Sequence, residues 1–407
     1  MADFEKAIEK AVADLEIPGC VLVATNRDGS FKYNKAFGHS SLKEGTNAAL
    51  NLNSIMWTAS CTKLQTCICI AQLVERGLAD LDAPVYPQIP ELKDFPVIKG
   101  FQEDGTPIEE PHKNPITLRS LLQHTSGFAY DFIHPLLQQW LKYHGKKGPS
   151  VGSTVLGRFV SPMVFEPGTG WMYGSGIDFA GLFLERLTGK TLEEHMKANL
   201  WDPLGIKDAT FFPSTRPDLK ERMVDMSFRG GDGKLAFGDS SAYSGDGEGN
   251  ERKECMGGEG VFTSPEEYIK VLHALLVADT DEKILKKETV DEFFRPQLNE
   301  AGRNSLQSLL RDTMTNNAMG GVSMGVDKDW GLGGLVITQD TPDGKKAGSM
   351  FWGGLPNLIW FLDRKTGLCG LYASQVLPTG DATIAALARK FEAGMYELYG
   401  KSKSQKL

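Results

Sequence analysis

No apolar stretch in this 407-residue chain approaches the ~18 residues that a membrane-crossing helix needs, so no spanning segment is expected. Positive charge is in deficit: Lys and Arg number 44 against 52 Asp and Glu, a net charge of −8. That balance argues against nucleic acid or an anionic membrane as the main partner, since both require clustered positive charge. Cysteine is sparse and unpatterned. Cys20, Cys61, Cys67, Cys69, Cys255 and Cys369 lack metal-ligand spacing, the 7 histidines show no pairing, and no metal or other cofactor is expected. Cys67 and Cys69 fall in an apolar helical stretch and read as small core residues rather than a disulfide. Residues 1–15 lack the basic segment and apolar run of a secretory signal. The expectation is a cytoplasmic protein with free thiols.

Glycine is the residue in excess, 45 of 407, where an average protein has ~7%. It implies many tight turns and close backbone approaches. The length exceeds what one small core needs, because single cores stop growing near ~250–300 residues. Phe4, Ile8, Val12 and Leu15 lie at helical spacing and predict an N-terminal helix. An apolar run over 20–25, the pair Asp28-Gly29, and alternating Phe31, Tyr33 and Phe37 predict a β-hairpin. A helix is predicted from about 60 to 76, with Gly77 as its stop.

Pro84, Pro87, Pro90, Pro96, Pro107, Pro111 and Pro115 then punctuate a region with helical stretches near 117–124, 133–145 and 177–200 and no strand pairs. Strand signals return after about 220. Ser264-Pro265-Glu266-Glu267 combines an N-cap, a proline at the first helical position and a capping glutamate. Segments 335–338, 348–352, 357–362 and 368–374 read as antiparallel strands, two of them joined by a turn over 363–367, and a last helix covers about 382–398. The fold class is α/β (α+β): an antiparallel sheet flanked by N- and C-terminal helices. Its domain is discontinuous over 1–85 and 211–407, with a mainly helical insert over 86–210 lining a cleft.

Ser60-Cys61-Thr62-Lys63 opens the first long buried helix. Ser-x-x-Lys on a helix places both side chains about one turn apart on one face, and the helix N-terminus favours an anion developing on Ser60. A lysine held in an apolar pocket loses hydration, which favours its neutral, proton-accepting form. Pro167-Gly168 precedes Trp171-Met172-Tyr173-Gly174-Ser175, a turn able to present Tyr173 to a cleft, where a phenol beside an ammonium becomes more acidic and can shuttle a proton. Alternatively Tyr173 is a packed tyrosine bonded to backbone. In Phe351-Trp352-Gly353-Gly354-Leu355-Pro356, two glycines inside a strand mark a close backbone approach by a ligand or a neighbouring chain. The Leu355 amide there can pair with the Ser60 amide as an oxyanion hole, in which one donor is typically worth ~3 kcal/mol of barrier.

Ser60-x-x-Lys63, the run Leu121-Leu122-Gln123-His124-Thr125-Ser126-Gly127, and Pro167-Gly168 with Tyr173-Gly174-Ser175 resemble the serine β-lactamase and penicillin-binding-protein superfamily, nearest its class C-like esterase branch. Asp202-Pro203-Leu204-Gly205-Ile206 and Gly257-Gly258 with Phe262-Thr263-Ser264 extend the resemblance over nearly the whole chain. Ile17-Pro18-Gly19, Glu75-Arg76-Gly77-Leu78, Phe132-x-His134-Pro135-Leu136-Leu137 and Gly353-Gly354-Leu355-Pro356-Asn357 are similar to the fungal transesterases and esterases of statin-type polyketides. The resemblance implies a β-lactamase-like fold, with Ser60 as nucleophile, Lys63 and Tyr173 as base pair, and the Ser60 and Leu355 amides as oxyanion hole.

Two departures bear on substrate. Ser175 stands where lactamases and peptidases carry asparagine, and Trp352-Gly353-Gly354 lacks the Lys-Thr-Gly hydroxyl and cation that hold a carboxylate. A bulky neutral acyl group is therefore expected, with Tyr130, Phe132, Ser175, Trp352, Gly353 and Gly354 as candidate substrate contacts. The expected partner is a small-molecule ester, with an acyl thioester as a second class of donor. β-Lactamase or D-Ala carboxypeptidase activity, and a non-catalytic binding protein of the same fold, remain alternatives, and oligomeric state stays open. Lys365-Thr366-Gly367 spells the missing box but has a turn's composition. Gly148-Pro149-Ser150-Val151-Gly152 spells a hydrolase elbow without a preceding strand. His124 reads as a buttress of a helix end rather than a general base. The C-terminal Gln405-Lys406-Leu407 is one residue from a peroxisomal address, an alternative to the cytoplasm.

Overall fold

A computed structural model describes every residue except 47, 147, 149–150, 239–243 and 405–407. Ser150 of the elbow-like motif and the C-terminal tripeptide thus lie outside the described residues. The amphipathic N-terminus forms α1 (Asp3–Ala13), which buries Phe4, Ile8 and Ala11. It leads to β1 (Gly19–Asn26) and β2 (Lys32–Gly38), paired antiparallel across Asp28-Gly29, where Gly29 takes φ +67°. β3 (Met56–Trp57) and a tight 3-10 turn over Ala59–Cys61 deliver the chain into α2 (Thr62–Glu75). Gly77 ends that helix with φ +68° and donates its N–H to the Val74 carbonyl at 2.9 Å.

Residues 86–210 hold β4 (Pro96–Phe101), β5 (Pro107–Pro111), α3 (Leu118–Leu122), α4 (Pro135–Tyr143), α5 (Val155–Phe159), α6 (Gly176–Thr188) and a short helix Leu192–Met196, and end in β6 (Ala209–Thr210). The β4–β5 hairpin corrects the expectation that this region has no strand pair. Its prolines sit at strand ends of a sheet with only two strands, where a missing N–H disrupts little. None of β4, β5 or β6 joins the main sheet.

The remainder supplies β7 (Met226–Arg229), β8 (Leu235–Gly238), β9 (Phe262–Thr263) and the helix Pro265–Leu276, whose N-cap Ser264 accepts the Glu267 N–H at 3.3 Å. After the helix Thr313–Ala318 come β10 (Lys328–Trp330), β11 (Leu335–Ile337), β12 (Met350–Gly354), β13 (Leu358–Asp363), β14 (Leu368–Ala373), β15 (Val376–Leu377) and the C-terminal helix Ala382–Ser404. Seven antiparallel strands order as β10-β11-β12-β13-β14-β1-β2. Every residue of β1, β12, β13 and β14 is buried, so both faces of the sheet are covered. The helix Pro265–Leu276 packs on β1, β13 and β14, while α1 and the C-terminal helix pack together against β2 and β14. Lys365-Thr366-Gly367 is the β13–β14 turn, closed by a Gly367 N–H to Asp363 carbonyl bond of 2.8 Å. Among the described residues no helix is long and apolar enough to cross a membrane.

Candidate active site

Ser60 follows directly on a strained bend. Ala59, just before it, takes φ +44°, a left-handed conformation that costs a non-glycine residue energy and persists only where surroundings impose it. Those surroundings are visible. The Thr58 N–H and Oγ1 both donate to the Val261 carbonyl, at 2.9 and 2.7 Å. Thr62 Oγ1 accepts the Val261 N–H at 3.0 Å, and the Tyr268 hydroxyl donates to the Cys61 carbonyl at 2.9 Å. The segment around Gly257–Tyr268 thus clamps the bend on both sides.

One turn on, Lys63 is fully buried and directs Nζ at three acceptors: the Ser60 Oγ at 3.3 Å, the Tyr130 hydroxyl at 2.9 Å and the Gly258 carbonyl at 2.8 Å. Once protonated, its three N–H donors would each find an acceptor. Nζ also lies 4.7 Å from the Tyr173 ring centre and 5.2 Å from that of Tyr130. The Tyr173 hydroxyl donates to Ser60 Oγ at 2.6 Å. Serine, lysine and tyrosine, spread over the sequence, therefore meet at one oxygen.

Tyr173 is delivered by a loop laid on the His124-Thr125-Ser126-Gly127 segment. Backbone bonds join Val164 to the Gly127 carbonyl at 2.8 Å, Gly168 to that of Thr125 at 2.8 Å and Met172 to that of His124 at 3.0 Å. Gly127 has φ +90°, and a Cβ there would meet the Phe165 carbonyl at 2.2 Å. The His124 ring stacks edge-on to Tyr173 at 4.9 Å and to Trp330 at 4.9 Å, and neither of its nitrogens has a hydrogen-bond partner among the described residues. Burial, with the Lys63 charge adding to it, pushes His124 well below the usual histidine range. It is a neutral aromatic wall behind Tyr173.

The β12 end completes the surroundings of Ser60. A Cβ on Gly354 would lie 2.4 Å from the Thr58 carbonyl, and one on Gly353 2.4 Å from the Leu358 carbonyl. Only glycine lets this strand lie against the Ser60 bend. Leu355 follows in the turn, packed with Ala59 in one apolar cluster. Its N–H has no acceptor among the described residues, and Ser60 lies in the first helical turn, where N–H groups lack intrahelical partners.

The expected substrate contacts divide. Phe132 is 41% exposed and stacks on Tyr130 at 5.3 Å. Trp352 is buried against Tyr173 and Trp330 at 5.0 and 4.8 Å, forming a wall of the site. Tyr130 and Ser175 are buried as well. Ser175 is buried at the α6 N-terminus, and Tyr130 is buried with its hydroxyl engaged by Lys63 and donating to Asp178 Oδ2 at 3.3 Å. Tyr130 thus partners the lysine through its hydroxyl and Phe132 through its ring.

Behind these residues lies a cluster that sequence reasoning missed. Asp178 Oδ1 accepts the Gly258 N–H at 2.8 Å; burial is the largest influence and raises its carboxyl to about 6, against an opposing pull from Lys63. Glu259 binds Arg158 Nε at 3.0 Å and Arg252 at 3.2 Å. Burial would raise the Glu259 carboxyl, but Arg252, Arg158 and Lys63 together hold it below the usual range. Burial also brings Arg252 down to about 10. A signal was present: Asp178 is the single charge in the apolar run from Gly176 to Leu184. No group of three His, Cys, Asp or Glu among the described residues is placed to hold a metal ion.

The arrangement is suited to acyl transfer, with a serine hydroxyl met by a lysine amine and a phenol and with backbone N–H groups beside it. The sequence profile described as Beta-lactamase matches residues 4–394. Monacolin J acid methylbutanoyltransferase of Aspergillus terreus is 37% identical over 402 residues, spanning 97% of this chain and 95% of the relative. Lovastatin esterase of Penicillium rubens is 36% identical over 403 residues, spanning 98% of this chain and 100% of the relative. A simvastatin synthase mutant from Aspergillus terreus superposes with a TM-score of 0.90 at 39% identity, covering 98% of this chain and 95% of that structure. The chain belongs to the β-lactamase family, among its ester acyl-transfer enzymes.

Proposed function

We propose that this protein is a serine esterase and acyltransferase acting on the side-chain ester of a bulky, neutral, statin-like polyketide through an acyl-Ser60 intermediate. The observation that carries this reading is the convergence of the Tyr173 hydroxyl and Lys63 Nζ on Ser60 Oγ, at 2.6 and 3.3 Å. Ser60 Oγ attacks the acyl carbonyl carbon while its proton passes to the Lys63/Tyr173 pair. The Ser60 and Leu355 N–H groups hold the oxyanion of the tetrahedral intermediate. Collapse breaks the bond to the leaving alcohol or thiol, which takes the proton from the same pair. Water or an acceptor alcohol then attacks the acyl-enzyme by the reverse sequence. The β12 end, Trp352-Gly353-Gly354, supplies neither cation nor hydroxyl for a substrate carboxylate, in keeping with a neutral acyl group. The curated relatives include both a transferase and an esterase, so water and alcohol are both acceptors in this proposal.

Incubation with an activated aryl ester, followed by intact mass, tests it. Wild type gains one acyl group, Ser60→Ala gains none, and added alcohol diverts product from acid to ester. If wild type takes up no acyl mass that Ser60→Ala lacks, the proposal is wrong.

A further inference from the structure

Lys63 is a fully buried amine that becomes a cation when it takes the Ser60 proton, and its three direct partners, Ser60 Oγ, the Tyr130 hydroxyl and the Gly258 carbonyl, carry no counter-charge. A buried charge needs a counter-charge nearby. Two carboxylates are close, and one is already taken, because Glu259 is held by both Arg158 and Arg252. The other, Asp178 on α6, is fully buried and reaches Lys63 by two routes, each one group long. Its Oδ2 accepts from the Tyr130 hydroxyl at 3.3 Å, and that oxygen accepts from Lys63 Nζ at 2.9 Å. Its Oδ1 accepts the Gly258 N–H at 2.8 Å, and the carbonyl of the same residue accepts from Nζ at 2.8 Å. A Cβ on residue 258 would lie 2.3 Å from Asp178 Oδ2, so glycine is what admits the carboxylate here.

We propose that Asp178 is a positioning residue for the acyl-transfer reaction: through Tyr130 and Gly258 it aims Lys63 Nζ at Ser60 and supplies the buried negative charge that balances the ammonium formed when Ser60 gives up its proton. The proposal rests on the reading of Ser60 as the nucleophile. Taking its hydrogen bond from the Tyr130 hydroxyl, the carboxylate turns the lone pairs of that oxygen toward Nζ and leaves the third N–H of Lys63 for Ser60. The charged and titratable groups facing Asp178 are Lys63 from α2, Tyr130 before α4, Arg158 from α5, and Arg252 and Glu259 from the segment before β9. Removing the carboxylate leaves three cations around one remaining acid. The protonated state of the site then becomes harder to hold, so its acid limb moves to lower pH while the proton acceptor weakens.

The test is the rate of Ser60 labelling by a fluorophosphonate, followed by intact mass from pH 5 to 9, on wild type, Asp178→Asn, Tyr130→Phe and the double variant, with folding checked by circular dichroism. Asp178→Asn is expected to label roughly tenfold to a hundredfold more slowly at pH 8, with its acid limb displaced to lower pH. The double variant is expected to be slower than either single one by less than the product of their effects, because one of the carboxylate's two routes passes through Tyr130. Equal labelling of Asp178→Asn and wild type, or a slowed rate with the acid limb unmoved, overturns the proposal, since a merely structural role lowers the rate without shifting its pH dependence. Rescue of the limb by Tyr130→Phe would likewise overturn it. If wild type itself is not labelled at Ser60, the assignment of the nucleophile fails first, and that result is distinct from the others.

Discussion

At the scale of single residues, the proposed reaction separates groups that handle protons from groups that hold them in place. Tyr173 does the first with its hydroxyl, 2.6 Å from Ser60 Oγ, and the second with its ring, packed on His124 at 4.9 Å and Trp352 at 5.0 Å. Tyr173→Phe deletes one function and keeps the other. It is expected to slow Ser60 acylation by ~10²–10⁴ while leaving the thermal midpoint nearly unchanged, read by burst kinetics with an activated ester alongside calorimetry. Asp178 gives a prediction of stability against pH. Its carboxyl moves from 3.8 unfolded to about 6 folded, so between those values the native state binds the extra proton. The associated stability is present below pH ~4 and is lost as pH rises through 6, a term of up to about 3 kcal/mol. Asp178→Asn lacks that term. Urea unfolding at pH 4 and pH 7 should show the variant gaining on wild type at the higher pH, where the proposal makes it the slower catalyst. His124 works in the opposite sense, because its neutral form is favoured above the ordinary histidine range and acid destabilises it, but that contribution is common to both proteins and cancels in the comparison.

At the scale of elements, the close approach of β12 to the Ser60 bend is what a substitution can undo most cleanly. Gly354→Ala places a carbon 2.4 Å from the Thr58 carbonyl, a backbone atom that cannot swing aside. The strand end must withdraw, and with it the Leu355 N–H. Acylation should fall by ~10²–10³, the loss expected for one oxyanion donor, and a serine-to-alanine-like loss of all labelling would instead point to collapse of the bend itself. These elements were legible to different degrees. The start of α2, the Asp28-Gly29 hairpin, the Ser264 cap and the β13–β14 turn were readable because each depends on residues a few positions apart. The β4–β5 pair was hidden by the prolines that bound it, which suppress a strand reading wherever an isolated hairpin tolerates them. The Tyr130 contact with Lys63, and Asp178 itself, went unread for another reason. Their roles are set by Lys63 and Gly258, which are remote in sequence, and no local spacing encodes that meeting.

At the scale of the whole molecule, one buried ion cluster ties the helical stretch over 86–210 to the rest. Apolar residues on both sides already share a core, with Val21, Leu22, Cys67, Leu121, Phe128 and Phe179 in one contiguous cluster. Across that core, Arg158 on α5 reaches Glu259, which also holds Arg252. The side chains of Arg158 and Arg252 are 7% and 5% exposed, so neither is well hydrated. Such a triad is stable only as a set, since removing one member leaves a partner's charge buried and unpaired. The two ends of the set are not equivalent. Arg158→Leu leaves Glu259 still paired with Arg252, whereas Glu259→Gln leaves two arginines and Lys63 facing one another with only Asp178 to balance them. Glu259→Gln should therefore lower the urea midpoint more than Arg158→Leu, by a margin of about 1–3 kcal/mol in unfolding free energy. Lys10→Ala, which breaks a solvent-exposed pair between α1 and Asp14 just beyond its end, should leave the midpoint where it was. If Arg158→Leu proves the more damaging of the two, the cluster is not organised around Glu259, and α5 is held by its apolar contacts and by Phe159 beneath the guanidinium rather than by the shared carboxylate.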